Sequence, residues 1–338
     1  MNFADSRNFI ATLTARKLLN GIKLFSSYHQ SKLTGRPKLS ALPLTVSVEP
    51  TTACNLRCPE CPSGLRSFTR PRGMLEINLY KQIIEEIGDT LMYLYLYFQG
   101  EPFLHPNFLD LVALANSKHI YTVTSTNAHF LDDEMARKTI ESGLSRIIIS
   151  IDGTSQSTYE NYRVDGELAK VIEGTSKLIK WKRKLKAKTP HIVFQFLVVK
   201  ANEHQIPEIY KLADKLGVDE VKLKTTQVYN YKNGNPLIPE NEKYSRYKKQ
   251  GDGTYVLKNK LLNQCWKMWH SCVITWDGKI VPCCFDKDAS HQLGNIQQHS
   301  FKAIWYGEAY DRFRQKLLKS RSKIDICTNC TEGTKVWS

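Results

Sequence analysis

Three cysteines lie close together in the sequence, at Cys54, Cys58 and Cys61, with the spacing C-x3-C-x2-C. Three thiolates at this spacing can each bind one iron of a cubic iron–sulfur cluster. A structural zinc site takes four protein ligands, and so does the cluster of a ferredoxin. With three ligands, one iron keeps an open position at which a substrate or cofactor could bind. The alternative interpretation is a metal-free group of cysteines in a loop.

A second group of cysteines lies near the C-terminus. Its members are Cys265, Cys272, Cys283, Cys284, Cys327 and Cys330. Within this group, Asp277-Gly278 stands between two short apolar runs and predicts the turn of a β-hairpin. Four thiolates suit either a second iron–sulfur cluster or Zn²⁺, so both kinds of site remain open.

The composition indicates a chain that works in a reducing compartment. Nine cysteines occur in 338 residues without a secretory signal, because charged residues interrupt the N-terminal apolar ones. Cysteines in such a chain bind metal more often than they form disulfides. We therefore expect a cytoplasmic protein, and no apolar run approaches the length of a membrane span.

The formal charge of +15 suggests acidic partners. The basic run at residues 180–188 surrounds Trp181 and could bind nucleic acid. Such a run is more typical of the solvated face of a helix, so we do not expect nucleic acid as a partner. A non-catalytic iron–sulfur or zinc protein that binds RNA remains the rival function.

Strands and helices are predicted to alternate from about residue 43 to residue 224. Six βα units in succession predict an α/β fold in which a parallel sheet curls into a partial barrel. Chemistry in such barrels takes place at the C-terminal ends of the strands, and the first cysteine group follows the first strand. The predicted strands are residues 44–49, 91–98, 121–125, 146–151, 192–199 and 220–224.

The chain divides into four parts. Residues 1–40 form a basic N-terminal arm, predicted to be helical, and residues 41–225 form the partial barrel. Residues 226–263 are rich in Asn, Lys, Tyr, Gly and Pro, which predicts a linker. Residues 264–338 hold the second cysteine group.

The N-terminal arm carries an apolar stripe. Ile10, Leu13, Leu18, Ile22 and Phe25 lie roughly on one side of the predicted helix. One interpretation is a helix in peripheral contact with an anionic membrane. The other, which we favour, is a helix that covers one end of the barrel.

The first cysteine group and the strands around it resemble the radical S-adenosylmethionine (SAM) superfamily, over most of residues 43–225. The resemblance implies a [4Fe-4S] cluster on Cys54, Cys58 and Cys61 whose open iron is chelated by SAM. It further implies that an electron from the cluster splits SAM to a 5′-deoxyadenosyl radical, which abstracts hydrogen from a substrate. A low-potential donor such as flavodoxin or ferredoxin would supply that electron.

The resemblance also assigns contacts to SAM. Gln99-Gly100-Glu101-Pro102 looks like the Gly-Gly-Glu motif of the family, in which Gly100 lets backbone approach the cofactor and Glu101 accepts from the SAM ammonium. By the same resemblance, Ser150 and Arg163 hold SAM, with the planar guanidinium on its carboxylate.

Two further positions concern the adenine of SAM. The backbone at Leu223, near the end of the sixth predicted strand, is expected to meet the adenine. Many members of the family carry an aromatic residue just before the third cysteine, where this chain has Glu60. We include Glu60 among the cofactor-binding positions, but the departure puts the stacking contact in doubt.

The second cysteine group resembles the SPASM/twitch extension of radical SAM enzymes, over residues 264–333. The resemblance implies one auxiliary [4Fe-4S] cluster for electron transfer. Its implied ligands are Cys265, Cys283, Cys327 and Cys330. Cys272 and Cys284 stay unassigned, and either could exchange with a neighbouring ligand.

The sequence does not identify the substrate. Relatives with this extension act on small molecules, sugars, lipid head groups or peptides, and the basic charge suggests an anionic substrate. No peptide-binding fold is evident before residue 43, which mildly favours a small molecule or carbohydrate over a leader-dependent peptide. Neither the hydrogen abstracted nor a catalytic base can be named from the sequence.

Overall fold

The computed structural model describes residues 3–332, and its first two thirds alternate strands with helices. The strands of this part are β1 (Thr45–Val48), β2 (Tyr93–Tyr95), β3 (Tyr121–Thr126), β4 (Arg146–Ser150), β5 (His191–Val198) and β6 (Glu220–Thr225). The helices are α1 (Phe3–Ile10), α2 (Ala15–Thr34), α3 (Pro62–Leu65), α4 (Ile77–Ile87), α5 (Phe108–Ser117), α6 (Asp133–Glu141), α7 (Gln156–Glu160), α8 (Leu168–Lys184) and α9 (Ile206–Leu216).

The last third of the described chain holds shorter elements. They are β7 (Tyr247–Lys249), β8 (Tyr255–Leu257), α10 (Lys267–His270), β9 (Ser271–Ile274), β10 (Lys279–Val281), β11 (Gly294–Asn295), α11 (Phe301–Trp305) and α12 (Glu308–Ser320). The final residues of the predicted part 264–338, from 333 onward, lie outside the described residues.

Strands β1 to β6 pair in sequence order and are all parallel, as the partial-barrel prediction requires. Their outward side chains, such as Val46, Leu94, Ile147 and Phe194, are fully buried beneath the helices. Because every crossover helix packs on that outer face, the strands read as apolar there. The inward face is more polar and touches solvent.

The sheet continues from the barrel into the second cysteine group. Strand β9 pairs with β1 in parallel, with Thr45 opposite Ser271 and Val48 opposite Ile274. Strands β10 and β11 extend this edge in antiparallel fashion, so one sheet has nine strands in the order β11-β10-β9-β1-β2-β3-β4-β5-β6. The predicted hairpin is confirmed, and its turn residue Gly278 has a φ of +79°. The segments that carry the two cysteine groups are therefore attached to one continuous sheet.

The N-terminal arm covers the N-terminal end of the barrel. Asp5 enters that end and forms a buried ion pair of 2.7 Å with Arg146, the first residue of β4. The Lys17 ammonium donates to the carbonyl of His119, just before β3, over 2.5 Å. This placement agrees with the interpretation that the arm covers the barrel. No helix within residues 3–332 has both the length and the apolar character needed to cross a bilayer.

Residues 226–263, predicted to be a linker, carry structure of their own. Strands β7 and β8 form an antiparallel hairpin, and Val228, Ile238 and Tyr247 form a small buried cluster. The Tyr247 hydroxyl donates to the carbonyl of Val228 over 3.0 Å. Apolar residues spaced this far apart along the chain gave no periodic signal, because they meet across loops.

The basic run at residues 180–188 belongs mainly to the end of α8. Lys182 pairs with Asp219 at 2.7 Å, and Lys180 pairs with Asp133 at 3.5 Å. Part of the run is thus matched by acidic residues of the barrel itself, as the solvated-helix interpretation requires.

A buried ion pair locks the end of β1 to the second cysteine group. The Arg70 guanidinium donates to both carboxylate oxygens of Glu49, over 2.8 and 2.6 Å, and both side chains are buried. Arg70 also donates to the carbonyl of Lys287, and Glu49 accepts from the backbone N–H of Trp276. Burial raises the pKa of Glu49, and the bonds from Arg70 oppose that rise.

Replacing one partner of this pair is expected to destabilise the fold strongly. Arg70→Met leaves an uncompensated buried carboxylate and should lower the free energy of unfolding by about 3–5 kcal/mol in urea titrations. The double variant Glu49→Gln/Arg70→Met should lose less. As a control, Arg137→Met removes the exposed Arg137–Glu141 pair and should cost less than about 0.5 kcal/mol. An equal loss for both single variants would contradict this account.

Candidate active site

The first cysteine group lies in the loop that follows β1, at the C-terminal end of the barrel. Backbone bonds hold this loop against its neighbours, since the Glu101 N–H donates to the carbonyl of Ala53 over 2.7 Å. On the other side, the Arg57 N–H donates to the carbonyl of Val164 over 3.0 Å. The three thiols are therefore presented by a loop that is fixed by the segment after β2 and by the segment after α7.

Hydrogen-bond donors point at two of these sulfurs. The N–H of Leu56 donates to Cys54 Sγ over 3.5 Å, and the guanidinium of Arg163 donates to Cys58 Sγ over 3.6 Å. Burial raises the pKa of the Cys54 thiol to about 12, so the free thiol stays protonated at neutral pH. A bound metal would overcome that cost, because ligation requires the thiolate. The sulfur of a cluster-bound thiolate accepts hydrogen bonds of this kind.

Within residues 3–332, no three His, Cys, Asp or Glu side chains stand close enough to share one metal ion. A cubic cluster asks for a different arrangement, because each cysteine binds a different iron. The cysteines of each group nevertheless interact electrostatically, as Cys54 does with Cys58 and Cys61. Three neighbouring thiols that do not converge on one point fit a cubic cluster at the first cysteine group, since each would bind a different iron.

The carboxylate of Glu101 is fully buried and accepts hydrogen bonds from three donors of the protein. One carboxylate oxygen accepts from the Thr126 hydroxyl over 2.6 Å and from the N–H of Phe103, and the other accepts from the N–H of Asn127 over 2.8 Å. Burial raises its pKa to about 7. The Asn127 amide in turn donates to Asn55 inside the cysteine loop, over 2.7 Å. Glu101 thus ties the ends of β2 and β3 to that loop.

Arg163 lies between the cysteine loop and the end of β4. Its Nε donates to Asp152 over 2.5 Å, and the fully buried Asp152 also accepts from the N–H of Leu197 over 2.7 Å. Burial opposes the charged form of Arg163, but Asp152 and Cys58 raise its pKa well above the usual value. The guanidinium therefore stays charged beside the cysteines. Ser150 lies at the same strand end, with its hydroxyl 3.4 Å from that of Ser125.

Gly100 is required by a close approach of backbone. Its φ is +74°, and a Cβ there would lie 2.3 Å from the carbonyl oxygen of Thr51 and 2.7 Å from that of Ala53. Its N–H donates to the Ser63 hydroxyl over 2.9 Å. The glycine of this motif thus packs against the cysteine loop.

Glu60 and Leu223 occupy different surroundings. The Glu60 carboxylate accepts from the N–H of Tyr229 over 3.0 Å, which joins the cysteine loop to the segment after β6. Burial raises its pKa. Leu223 is half-buried in β6 opposite Phe196, and β6 continues to Thr225, one residue beyond the predicted end.

The inward face of the barrel carries side chains that solvent reaches. Pairing in register places Gln195 beside Lys222 and Leu197 beside Lys224, all on this face. Lys224 has no hydrogen bond or ion pair within the described residues 3–332. Its side chain is exposed to solvent, although desolvation by the protein groups around it lowers the pKa of its ammonium group. Its electrostatic neighbours are Arg246, Lys267, Cys284 and Glu332.

The four cysteines expected to bind the auxiliary cluster come together around Arg321. Cys265 and Cys327 are buried, and both interact electrostatically with Arg321. Cys330 Sγ accepts from Arg321 over 3.3 Å and from the N–H of Glu332 over 3.3 Å. Cys283 interacts electrostatically with Cys265 and Cys330, which places it in the same group.

Arg321 was not singled out from the sequence. Its side chain is fully buried and forms no ion pair with a carboxylate within the described chain, since its partners are carbonyls and sulfur. A buried cation of this kind requires a nearby negative charge. Four thiolates around a cubic cluster would supply a net charge of about −2. The sequence signal was weak, because arginines are common in polar stretches.

The two unassigned cysteines lie apart from each other. Cys272 is buried on the outward face of β9, opposite Val46, and burial raises its pKa to about 12. It contacts Tyr310 there rather than the other cysteines. Cys284 is exposed, and its electrostatic neighbours Tyr95 and Lys224 belong to the inward face of the barrel.

Comparisons with known proteins agree with this architecture. The family model described as "Radical SAM superfamily" matches residues 48–213, and the model "SPASM: Iron-sulfur cluster-binding domain" matches residues 265–331. A curated relative from Pyrococcus furiosus is named as a tungsten-containing aldehyde ferredoxin oxidoreductase cofactor-modifying protein. It is 26% identical over 325 residues, covering 84% of this chain and 86% of the relative.

Solved structures share the fold. SuiB of Streptococcus suis, bound to the precursor peptide SuiA, is 14% identical with a TM-score of 0.62, covering 91% of this chain and 74% of SuiB. BtrN, in complex with AdoMet and 2-DOIA, is 18% identical with a TM-score of 0.55, covering 88% of this chain and 96% of BtrN. One of these proteins was thus solved with a peptide and the other with a small molecule.

Replacing Gly100 by Ala is expected to disrupt the cysteine loop. The new Cβ must displace the backbone at Thr51–Ala53, so iron retained after anaerobic purification should fall by about four atoms per chain, the content of one cubic cluster. Gly253→Ala is the matched control, because Gly253 has a φ of +85° but nothing within 4 Å of an added Cβ. If both variants lost iron equally, backbone strain alone would be responsible.

Proposed function

This chain belongs to the radical SAM superfamily and carries a SPASM domain, and from that premise we propose that it abstracts hydrogen from a substrate bearing an anionic group. The observation that carries the proposal is the meeting of the cysteine loop and Arg163 at the C-terminal end of the barrel, where Ser150 ends β4. The inward face of the barrel also carries Lys224, which has no ion pair within residues 3–332.

The first centre is a [4Fe-4S] cluster on Cys54, Cys58 and Cys61. When bound, the cluster supplies the electron that splits SAM and yields the 5′-deoxyadenosyl radical. The chain's own residues prepare the site, since Asp152 fixes the guanidinium of Arg163 beside Cys58, where it meets the carboxylate of SAM.

Other residues complete the SAM site. The hydroxyl of Ser150 suits the ribose, and the backbone at Leu223 lies near the adenine. Glu101 acts through position, because three donors already occupy its carboxylate and leave little capacity for the SAM ammonium. Glu60 contributes a carboxylate that fixes the cysteine loop to Tyr229 in place of an aromatic stacking partner.

The second centre is one auxiliary [4Fe-4S] cluster. Its ligands are Cys265, Cys283, Cys327 and Cys330. Cys272 faces the core on the far side of β9, which supports its exclusion from this set. Arg321 offsets the negative charge of the centre and donates to Cys330, and both effects favour the reduced state. With four protein ligands the centre has no open iron, so it transfers electrons.

The substrate binds at the inward face of the barrel. Lys222 and Lys224 of β6 lie on this face, and Lys267 and Arg246 add positive charge, against which Glu332 provides one carboxylate. Because Lys224 is exposed and has no ion pair within residues 3–332, its ammonium is available for a charge-assisted contact with a phosphate or carboxylate. This charge supports an anionic small molecule, sugar, lipid head group or acidic peptide as the substrate class. A flavodoxin or ferredoxin supplies the electrons.

The proposed chemistry is tested by SAM cleavage. Dithionite-reduced protein with iron near eight atoms per chain, the content of two cubic clusters, should release 5′-deoxyadenosine from SAM. Cys58→Ala should abolish this release, since two thiolates do not hold the cluster. Cys327→Ala/Cys330→Ala should lower iron to about four atoms and stop turnover of substrate while leaving SAM cleavage in place.

Three results would each contradict one part of this proposal. Iron near four atoms together with one zinc would overturn the auxiliary cluster. Protein that holds both clusters yet never cleaves SAM would overturn the enzymatic proposal. Substrate turnover that survives the loss of Cys327 and Cys330 would overturn the electron-transfer role.

The substrate class is tested through Lys224. In anaerobic incubations with cell extract, Lys224→Met should lower substrate-dependent formation of deoxyadenosine by about tenfold or more, because it removes a charge-assisted contact. Cleavage of SAM without extract should be unchanged. Lys248→Met is the control, since Lys248 is an exposed lysine of β7. Extract passed over an anion exchanger should lose its effect; full activity of the flow-through would contradict an anionic substrate.

A further inference from the structure

The buried face of helix α2 is mixed, because it combines the core residues Leu24 and Tyr28 with hydrogen-bonded polar side chains. Asn20 donates to the carbonyl of Leu42 over 2.8 Å, and Ser31 accepts from the indole of Trp269 over 3.1 Å. Lys17 and Ser27 are buried on the same side and also hydrogen-bonded. The helix is therefore held against the rest of the protein by both apolar packing and hydrogen bonds on this one face.

The opposite face of α2 is apolar and exposed to solvent. At 3.6 residues per turn its exposed apolar side chains all fall on one side of the helix, which places them on one stripe. The exposed apolar stripe consists of Leu18 (48% exposed), Leu19 (59%), Ile22 (66%), Phe25 (41%) and Leu33 (88%). Helix α1 adds Phe3 and Ile10, which are also exposed. Large contiguous apolar patches on a protein surface mark sites of interaction.

Positive charge accompanies the stripe. Residues 6–48 contain no Asp or Glu, whereas the same segment contains seven Lys and Arg residues. Lys23 and Lys32 border the stripe on α2, and Arg36 and Lys38 follow the helix; all four are exposed. An exposed apolar stripe edged by lysine and arginine is the pattern of helices that lie in the interface of a lipid bilayer.

We propose that the exposed apolar stripe of α2 docks the protein on an anionic lipid surface, with the helix axis in the membrane plane. The twenty residues of α2 span about 30 Å at 1.5 Å per residue, enough to rest several apolar side chains at the level of the lipid head groups. The bordering lysines reach lipid phosphates and add electrostatic attraction.

Charge argues against a second copy of this chain as the occupant. In a two-fold symmetric contact the same surface meets itself, so Lys23 and Lys32 of one copy would approach those of the other. With no acidic residue in the segment to offset them, that contact is repulsive. An anionic bilayer offers both the apolar phase and the opposite charge. This inference does not depend on the enzymatic activity.

The test is co-sedimentation of the full-length protein with vesicles. Vesicles of phosphatidylcholine mixed with phosphatidylglycerol should bind the protein, and vesicles of phosphatidylcholine alone should bind it several-fold more weakly. The variant Leu18→Ser/Ile22→Ser/Leu33→Ser should lower binding to the mixed vesicles by about tenfold or more. Because these three side chains are exposed, the variant should unfold at the same urea concentration as the wild type.

A matched control removes exposed apolar residues elsewhere. Leu185→Ser/Val256→Ser/Leu262→Ser changes side chains that are 42–50% exposed and lie outside the arm, and should bind vesicles like the wild type. Three results would overturn the proposal: no binding of the wild type to anionic vesicles, equal binding by the stripe variant, or a dimer in light scattering that the stripe variant converts to a monomer. Weaker binding at high salt supports the contribution of the lysines.

Discussion

The pairing of β1 with β9 is the interaction on which the rest of the structure depends. Strand β1 would otherwise be the open edge of a partial barrel, and an open edge leaves backbone N–H and C=O groups unpaired. The SPASM hairpin covers this edge, with the Glu49 N–H donating to the carbonyl of Ile274 over 2.9 Å. The first cysteine group follows the end of β1, and β9 of the second module pairs with β1. The positions of both proposed iron–sulfur centres are therefore fixed relative to the same strand. The Glu49–Arg70 pair then fixes the loops beyond the strand end.

Buried charge is arranged around the two centres in different ways. Arg163 is balanced by Asp152, so its charge near Cys58 is held in place before any cofactor arrives. Arg321 has no carboxylate partner in the described chain and faces sulfur atoms instead. The proposed SAM site is thus preorganised by protein charges, whereas the proposed auxiliary centre would depend on the charge of its own cluster. Without its cofactor, the C-terminal cysteine-rich module should accordingly be less stable than the barrel.

The inner face of the barrel lies next to the SPASM domain. Lys224 of β6 interacts electrostatically with Cys284 and Lys267 of that domain. The N-terminal arm closes the opposite end through the Asp5–Arg146 ion pair and through the buried side chains Leu24 and Tyr28 of α2. This leaves the exposed apolar stripe of α2 available for an external surface.

The sequence alone determined the family, the strand order of the barrel and the chemistry of its first cysteine group, because spacing along one loop and alternation of apolar runs are local properties. The tertiary structure determined which contacts form between residues that lie far apart in the sequence. It showed that Glu101 is occupied by donors from β3, that Arg321 lies among the cysteines, and that the segment after β6 is folded. It also turned the apolar stripe of the arm toward solvent. Such contacts join residues far apart in the chain, and no periodicity in the sequence encodes which face of a helix a distant strand will cover.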